Sequence, residues 1–181
     1  MITDEATQVQ IHKKGTNMQE VEYLYPEDKN EMYHLLKEQL KALLEGEAHV
    51  LPNLSNASAL LNLALKDINW VGFYLMNNGE LLLGPFQGKP ACIHIPVGKG
   101  VCGTAVAEAQ TQLIRDVHEF PGHIACDSAS RSEIVIPLTS EGRIVGVLDI
   151  DSPFLGRFDE ADQAGLEAFA SVLEKGCCWT Q

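Results

Sequence analysis

Cys126 sits in FPGHIACDSASRSEIVIPL, residues 120–138, where small and polar residues give way abruptly to an apolar strand. A structural cysteine is ordinarily buried in apolar surroundings and inert. A thiol in a Gly/Ser/Asp loop, with His118, His123 and Arg131 close in sequence, is instead suited to nucleophilic or redox chemistry. Asp127 acts in the opposite sense, disfavouring the thiolate. The other cysteines are Cys92, Cys102 and the vicinal pair Cys177 and Cys178. Five is an odd number, and the N-terminus is polar without an apolar signal core, so a disulfide scaffold is not expected. No C-x2-C or H-x3-H spacing occurs, and His94, His118 and His123 are not spaced as ligands. No metal and no cofactor are expected.

A second group of residues could recognise a cation. Side chains alternate along a strand, so Trp70 and Tyr74 share a face with Gly72 between them. In Arg143–Asp151, Val145, Val147, Asp149 and Asp151 share one face, and Ile144, Gly146, Leu148 and Ile150 form the other, the core face. Asp149 and Asp151 then lie about 7 Å apart, at roughly 3.3 Å per residue. A hairpin turning at Glu141-Gly142 brings Glu133, at the start of one strand, opposite the end of the other. Glu133, Asp149 and Asp151 are therefore candidates for one acidic cluster. It reads either as a solvated polar face or as a box holding a ligand ammonium between carboxylates and aromatic rings. The glycines of GKGVCGT, residues 98–104, lack the spacing of a phosphate loop and read as a tight strand-to-helix turn.

The elements that must position these groups follow from periodicity. Leu35, Leu36, Leu40, Leu43 and Leu44 predict a helix between Pro26 and Gly46. A second, well-buried helix runs from Pro52 to Leu65, with Ser55 or Asn56 as its cap. Strands on either side of Asn77-Asn78-Gly79 form a hairpin. A short strand in ACIHIPV, an Ala-rich helix after Gly100, a short strand in TQLIRDV, the second hairpin and a final helix from Phe158-Asp159 to Glu174 complete the chain. Helices segregated from hairpin-joined strands imply an α+β fold with a six-stranded antiparallel sheet. Residues 1–20 show no periodicity and read as a disordered or leader-like N-terminal extension, with one domain over residues 21–181.

Composition narrows the function. The chain has 181 residues, 45% of them hydrophobic, and carries a formal charge of −12 with only 13 basic residues. No basic stripe is present, so binding nucleic acid through its phosphates is disfavoured. No apolar run approaches the roughly 18 residues of a membrane span. Strong acidity fits a soluble, cytoplasmic protein.

GPFQGKPACIHIPVGKGVCGTA, DVHEFPGHIACDSASRSEIVIPL and GVLDIDSP together closely resemble the free methionine-R-sulfoxide reductases, stand-alone GAF-domain enzymes. The resemblance covers about Met32 to Lys175 and implies a single GAF domain with the terminal helices on one face of the sheet and a ligand pocket on the other. It implies that Cys126 is the catalytic thiol, Cys102 the principal resolving thiol and Cys92 a further or alternative resolver. It further implies that Trp70 and Tyr74 wall the substrate pocket and that Glu133, Asp149 and Asp151 bind the substrate. Free methionine-R-sulfoxide as substrate, thioredoxin as reductant and a homodimer are the family's usual partners. The alternative is a non-catalytic GAF sensor of a small molecule or of redox state. Cys177 and Cys178 fall outside the matching motifs.

Overall fold

The computed structural model describes residues 8–14, 18–122 and 128–179. Two strands come first, β1 (Gln8–Lys14) and β2 (Met18–Leu24), paired antiparallel as a separate two-stranded sheet. Residues 8–14 and 18–20, within the stretch expected to form an N-terminal extension, lie in these strands. Val9 pairs with Tyr23 and Ile11 with Val21. Each strand thus offers only two alternating apolar residues, too short a pattern to stand out in sequence.

Helix α1 spans Lys29–Leu44, with the Asp28 side chain accepting from the Glu31 amide at 3.0 Å. Helix α2 spans Val50–Ala64, beginning before the expected cap. His49 is at its N-cap without a side-chain capping bond, its ring contacting Glu47 instead, and Pro52 lies in the first turn, where a missing N–H costs little. Ser55 lies inside the helix and bonds back to the Leu51 carbonyl. Nor is the helix buried all round: Leu51 and Leu63 are exposed, and Leu54, Ala57 and Leu61 make the buried stripe.

The main sheet contains β3 (Trp70–Asn77), β4 (Glu80–Gly88), β5 (His94–Pro96), β6 (Gln112–Ile114), β7 (Ser132–Ser140) and β8 (Arg143–Ser152). Its order is β5-β4-β3-β8-β7-β6, and every pairing is antiparallel. Both predicted hairpins turn where expected. Asn78 and Gly79 have φ of 50° and 89°, and Glu141 and Gly142 have 51° and 74°. Such left-handed pairs match the twist of the strands they join. Helix α3 (Gly100–Glu108) crosses between β5 and β6, and α4 (Glu160–Gly176) closes the fold behind a capping box of Asp159 and Asp162. No described helix is long and apolar enough to cross a membrane.

The sheet separates two apolar clusters. Phe73, Leu148 and Ile150 point toward α1, α2 and α4, where they meet Leu36, Leu40, Leu54, Leu61, Leu166 and Phe169. Trp70, Tyr74, Val135 and Val147 face the other way and meet Val101, Cys102 and Ala105 of α3. Alternation holds from Gly146 onward and fails at Val145, which packs on the helix side. The β7–β8 register shifts between Leu138 and Thr139, so Val145 is a bulge residue that strict alternation misplaces.

The terminal helices are tied together by charge. The fully buried Asp162 accepts from the Tyr33 hydroxyl at 2.8 Å, Lys29 Nζ at 2.6 Å and Arg157 Nη1 at 3.2 Å. Gly165 makes this approach possible, because a Cβ there would lie 2.2 Å from the Tyr33 ring. Asp162→Ala removes the acceptor shared by three donors and leaves the buried Tyr33 hydroxyl without it, while Lys29 keeps Asp159 and Arg157 keeps the Lys66 carbonyl. We expect it to cost about 3 kcal/mol of stability, read as a lowered urea midpoint with an unchanged slope; a loss below about 1 kcal/mol would show the network to be solvent-screened.

Candidate functional site

The pocket is built by register. On the sheet face away from α1, α2 and α4, Trp70 pairs with Asp151, and Asp151 pairs in turn with Glu133. The adjacent row is Phe86, Gly72, Asp149 and Val135, across four strands. Paired residues project to the same face, so one indole, a phenyl ring and three carboxyls converge. Tyr74 follows one step further along β3, opposite Val147. Gly72 keeps the aromatic side flat. A Cβ there would lie 2.3 Å from Phe86 Cβ and 2.7 Å from the Trp70 ring. In that space Trp70 stacks on Phe86 and Tyr74 at centroid distances of 5.3 Å and 5.9 Å.

The resulting cleft of about 570 Å³, counted to its open mouth, is lined by Trp70, Tyr74, Lys89, Cys102, Ser130, Glu133, Asp149 and Asp151, among others. Its rim is held by specific bonds. Trp70 Nε1 donates to the Lys89 carbonyl at 3.2 Å, and the Tyr74 hydroxyl donates to the Cys92 carbonyl at 3.0 Å. Tyr74 therefore serves as a wall and also anchors the segment carrying Cys92. Asn69 Nδ2 donates to Ser130 Oγ at 3.0 Å, fixing the opposite rim.

At the floor, Cys102 Sγ lies 4.0 Å from Glu133 Oε1. One donor atom from each of Cys102, Glu133 and Asp149 falls within 4.8 Å of the others. Glu133 and Asp149 are each 6% exposed and Cys102 is 4% exposed. Asp149 Oδ1 is buried with no hydrogen-bond partner among the described residues. Burial and the neighbouring charges of Asp149 and Asp151 push the Glu133 carboxyl well above the usual range. Burial likewise pushes Asp149 up to about 7, although hydrogen bonds with Cys102 and Glu133 pull the other way. The Cys102 thiol is raised by burial, then by Asp149 and Glu133. Its place in the first turn of α3 favours a thiolate through the helix dipole. Burial beside two carboxyls outweighs that effect, and the group is a neutral thiol.

Of the residues singled out in the sequence, Trp70, Tyr74, Glu133, Asp149, Asp151 and Cys102 are brought together in this one pocket. Cys92 is beside it, partly buried and disulfide-bonded, whereas Cys102, Cys177 and Cys178 are free thiols. Cys126, with His123 and Asp127, lies outside the described residues. The two other groups expected to tune that thiol, His118 and Arg131, both contact Asp116, at 3.0 Å and 3.4 Å. His94 pairs instead with Glu80 on the exposed edge of the sheet. Phe86, Lys89 and Ser130 were not anticipated. Phe86 could have been found by counting the β3–β4 register back from Asn78-Gly79, but a bulge between Gly72 and Tyr74 offsets that count. The positions of Lys89 and Ser130 depend on loop paths that no periodicity encodes.

The arrangement can hold a small cation between acids and rings, and it can store a proton near a thiol. A GAF-domain family model matches residues 55–174. Free methionine-R-sulfoxide reductase of Escherichia coli (strain K12) is 57% identical over 148 residues, covering 82% of this chain and 90% of that protein. The enzyme of the same name from Saccharomyces cerevisiae is 46% identical over 158 residues, covering 83% and 88% respectively. Among solved structures, free methionine-R-sulfoxide reductase from Neisseria meningitidis in complex with its substrate superposes with a TM-score of 0.81 at 46% identity, covering 84% of this chain and 92% of that one. With this fold, this pocket and these identities, the chain belongs to the free methionine-R-sulfoxide reductases, a family of GAF-domain enzymes.

Proposed function

We propose that this protein reduces free methionine-R-sulfoxide to methionine through a cysteine sulfenic acid and an intramolecular disulfide. The observation that carries the substrate half is the row of Trp70, Asp151 and Glu133 with Asp149 beside it. Carboxyls suit the substrate ammonium, and the rings suit its methyl and methylene groups and attract the cation. A methionine within a polypeptide has an amide in place of that ammonium, so it forfeits the interaction. A non-catalytic sensor would use the pocket equally well but leaves the thiols around it without a task.

The Cys126 thiolate attacks the sulfoxide sulfur while a carboxyl protonates the oxygen. The hydroxyl of this adduct passes to Cys126 Sγ as its bond to the substrate sulfur and the new S–S bond break, so methionine leaves and Cys126 becomes a sulfenic acid. A second thiol then displaces water from that sulfenic acid, forming a disulfide. Sequence resemblance ranks Cys102 ahead of Cys92 for this step. Two observations favour the reverse order: Cys92 is disulfide-bonded, and Cys102 is buried and held neutral beside two carboxyls. A neutral thiol attacks poorly. The Glu133–Asp149 pair is our proton store, because raised carboxyls keep a proton at neutral pH. Thioredoxin as the final reductant, a cytoplasmic location and a homodimer complete the reading. So does a domain of residues 21–181 that follows an N-terminal arm.

Single-turnover and steady-state assays on the separated epimers of free and peptide-bound methionine sulfoxide test the chemistry. Cys126→Ser should lower single-turnover methionine formation by more than about a thousandfold. Cys92→Ser should release one methionine per chain and then stall with thioredoxin, recovering with a small thiol. Steady turnover by Cys126→Ser, or a stall confined to Cys102→Ser, would reject the respective assignment.

The stored proton has a thermodynamic signature. Folded Asp149 keeps its proton to about pH 7, against 3.8 for an ordinary aspartate. Between those values Asp149 holds a proton in the folded chain that it has lost in the unfolded one, so its own contribution to stability falls as pH rises and levels off above about 7. Asp149→Asn should remove about one proton from that difference and flatten the fall in urea stability between about pH 4.5 and 6.5. An unchanged pH slope would rule Asp149 out of the proton store.

A further inference from the structure

Beside the carboxyls assigned to the ammonium, the same floor holds a sulfur donor that ammonium recognition does not require. Cys102 contributes a sulfur 4.0 Å from Glu133 Oε1, and with Asp149 the three donor atoms lie within 4.8 Å of one another. All three residues are buried, and Asp149 Oδ1 has no partner among the described residues. We propose that Cys102, Glu133 and Asp149 form an inhibitory binding site for a thiophilic divalent cation, with zinc the best match.

The choice of ion follows from donors and spacing. Hard ions such as calcium and magnesium prefer six or more oxygens and reject sulfur. Zinc accepts mixed thiolate and carboxylate ligands at about 2.3 Å and 2.0–2.2 Å, which places neighbouring donors roughly 3.3–3.6 Å apart. The observed spread needs only side-chain rotation to reach that value. Three protein ligands leave a fourth tetrahedral position, which faces the cleft and takes water. Coordination releases the Cys102 proton to solvent, and the ion's charge offsets the clustered acids. The bound ion occupies the place assigned above to the substrate ammonium. The inhibitory half of this inference therefore rests on the reductase reading, while the metal site does not.

The experiment is calorimetric titration of zinc chloride into the reduced full-length chain. We expect one ion per chain, bound at least tenfold more weakly by Cys102→Ser and by Asp149→Asn, and equally well by Cys92→Ser and by the double variant Cys177→Ser, Cys178→Ser. Unweakened binding by Cys102→Ser, or loss of binding with the tail cysteines, overturns the site. Should Cys102→Ser fail to fold, the unmodified chain still decides. Cobalt must then give a sulfur-to-metal charge-transfer band, and zinc must protect Cys102 from alkylation by at least tenfold; absence of both overturns the site. Added free methionine-R-sulfoxide, tested on Cys126→Ser so that it is not turned over, should weaken zinc binding in proportion to its concentration. Zinc binding indifferent to the sulfoxide overturns the inhibition and the ammonium placement while leaving the metal site standing.

Discussion

Two carboxyls and a thiol packed within 4.8 Å inside a protein cannot all be charged. They must hold protons or meet a cation. Much of the surrounding architecture maintains that condition. Strands β3, β8 and β7 set the acids in adjacent rows, α3 lowers Cys102 onto them, and the aromatic stack closes one side against water. Burial raises the proton affinity of all three groups, and Asp149 adds to that of Glu133 and Cys102, so the cluster favours a neutral empty state and a cationic guest. The same tension suits it to proton delivery, to ammonium recognition and to capture of a metal ion.

The opposite face of the sheet supplies the rigidity for this. Leu148 and Ile150 alternate with Asp149 along β8, so the residue that bears the charge is flanked by two that are locked into the helix-side core. A slip of one residue would bury Asp149 among Leu36, Leu40 and Phe169 and turn Leu148 into the pocket. The register is thus protected by the cost of that exchange. The helices forming the core are themselves held by Asp162, through bonds to Tyr33 and Lys29 of α1 and to Arg157 just before α4. Site geometry therefore depends on packing well away from the cleft.

Much of this was legible before any coordinates. The two hairpins announce themselves through Asn78-Gly79 and Glu141-Gly142, and period-two alternation assigns Trp70, Tyr74, Asp149 and Asp151 to shared faces. The second turn brings the start of β7, with Glu133, near the end of β8, but simple counting pairs Glu133 with Ile150, and the bulge at Val145 shifts it to Asp151. Misreadings arose where local signals compete. Ser55 is a good capping residue, but the helix extends past it because Leu54, Ala57 and Leu61 gain more from packing than a cap would give. The bulge at Val145 breaks alternation, and nothing in RIVGV announces it.

The sequence alone sufficed for the α+β class, the positions of the hairpins, the family resemblance and the placing of Trp70 with Tyr74 and of Asp149 with Asp151 on shared strand faces. These depend on residues close in the chain or on a fixed period, and such information is local. Three matters required the folded chain: the orphaned Asp149 oxygen, the neutral state of Cys102, and the anchoring of the Cys92 segment by Tyr74. All three arise from burial and from contacts between segments far apart in sequence. Desolvation is a property of the surroundings, and a residue's surroundings exist only once the chain has closed around it.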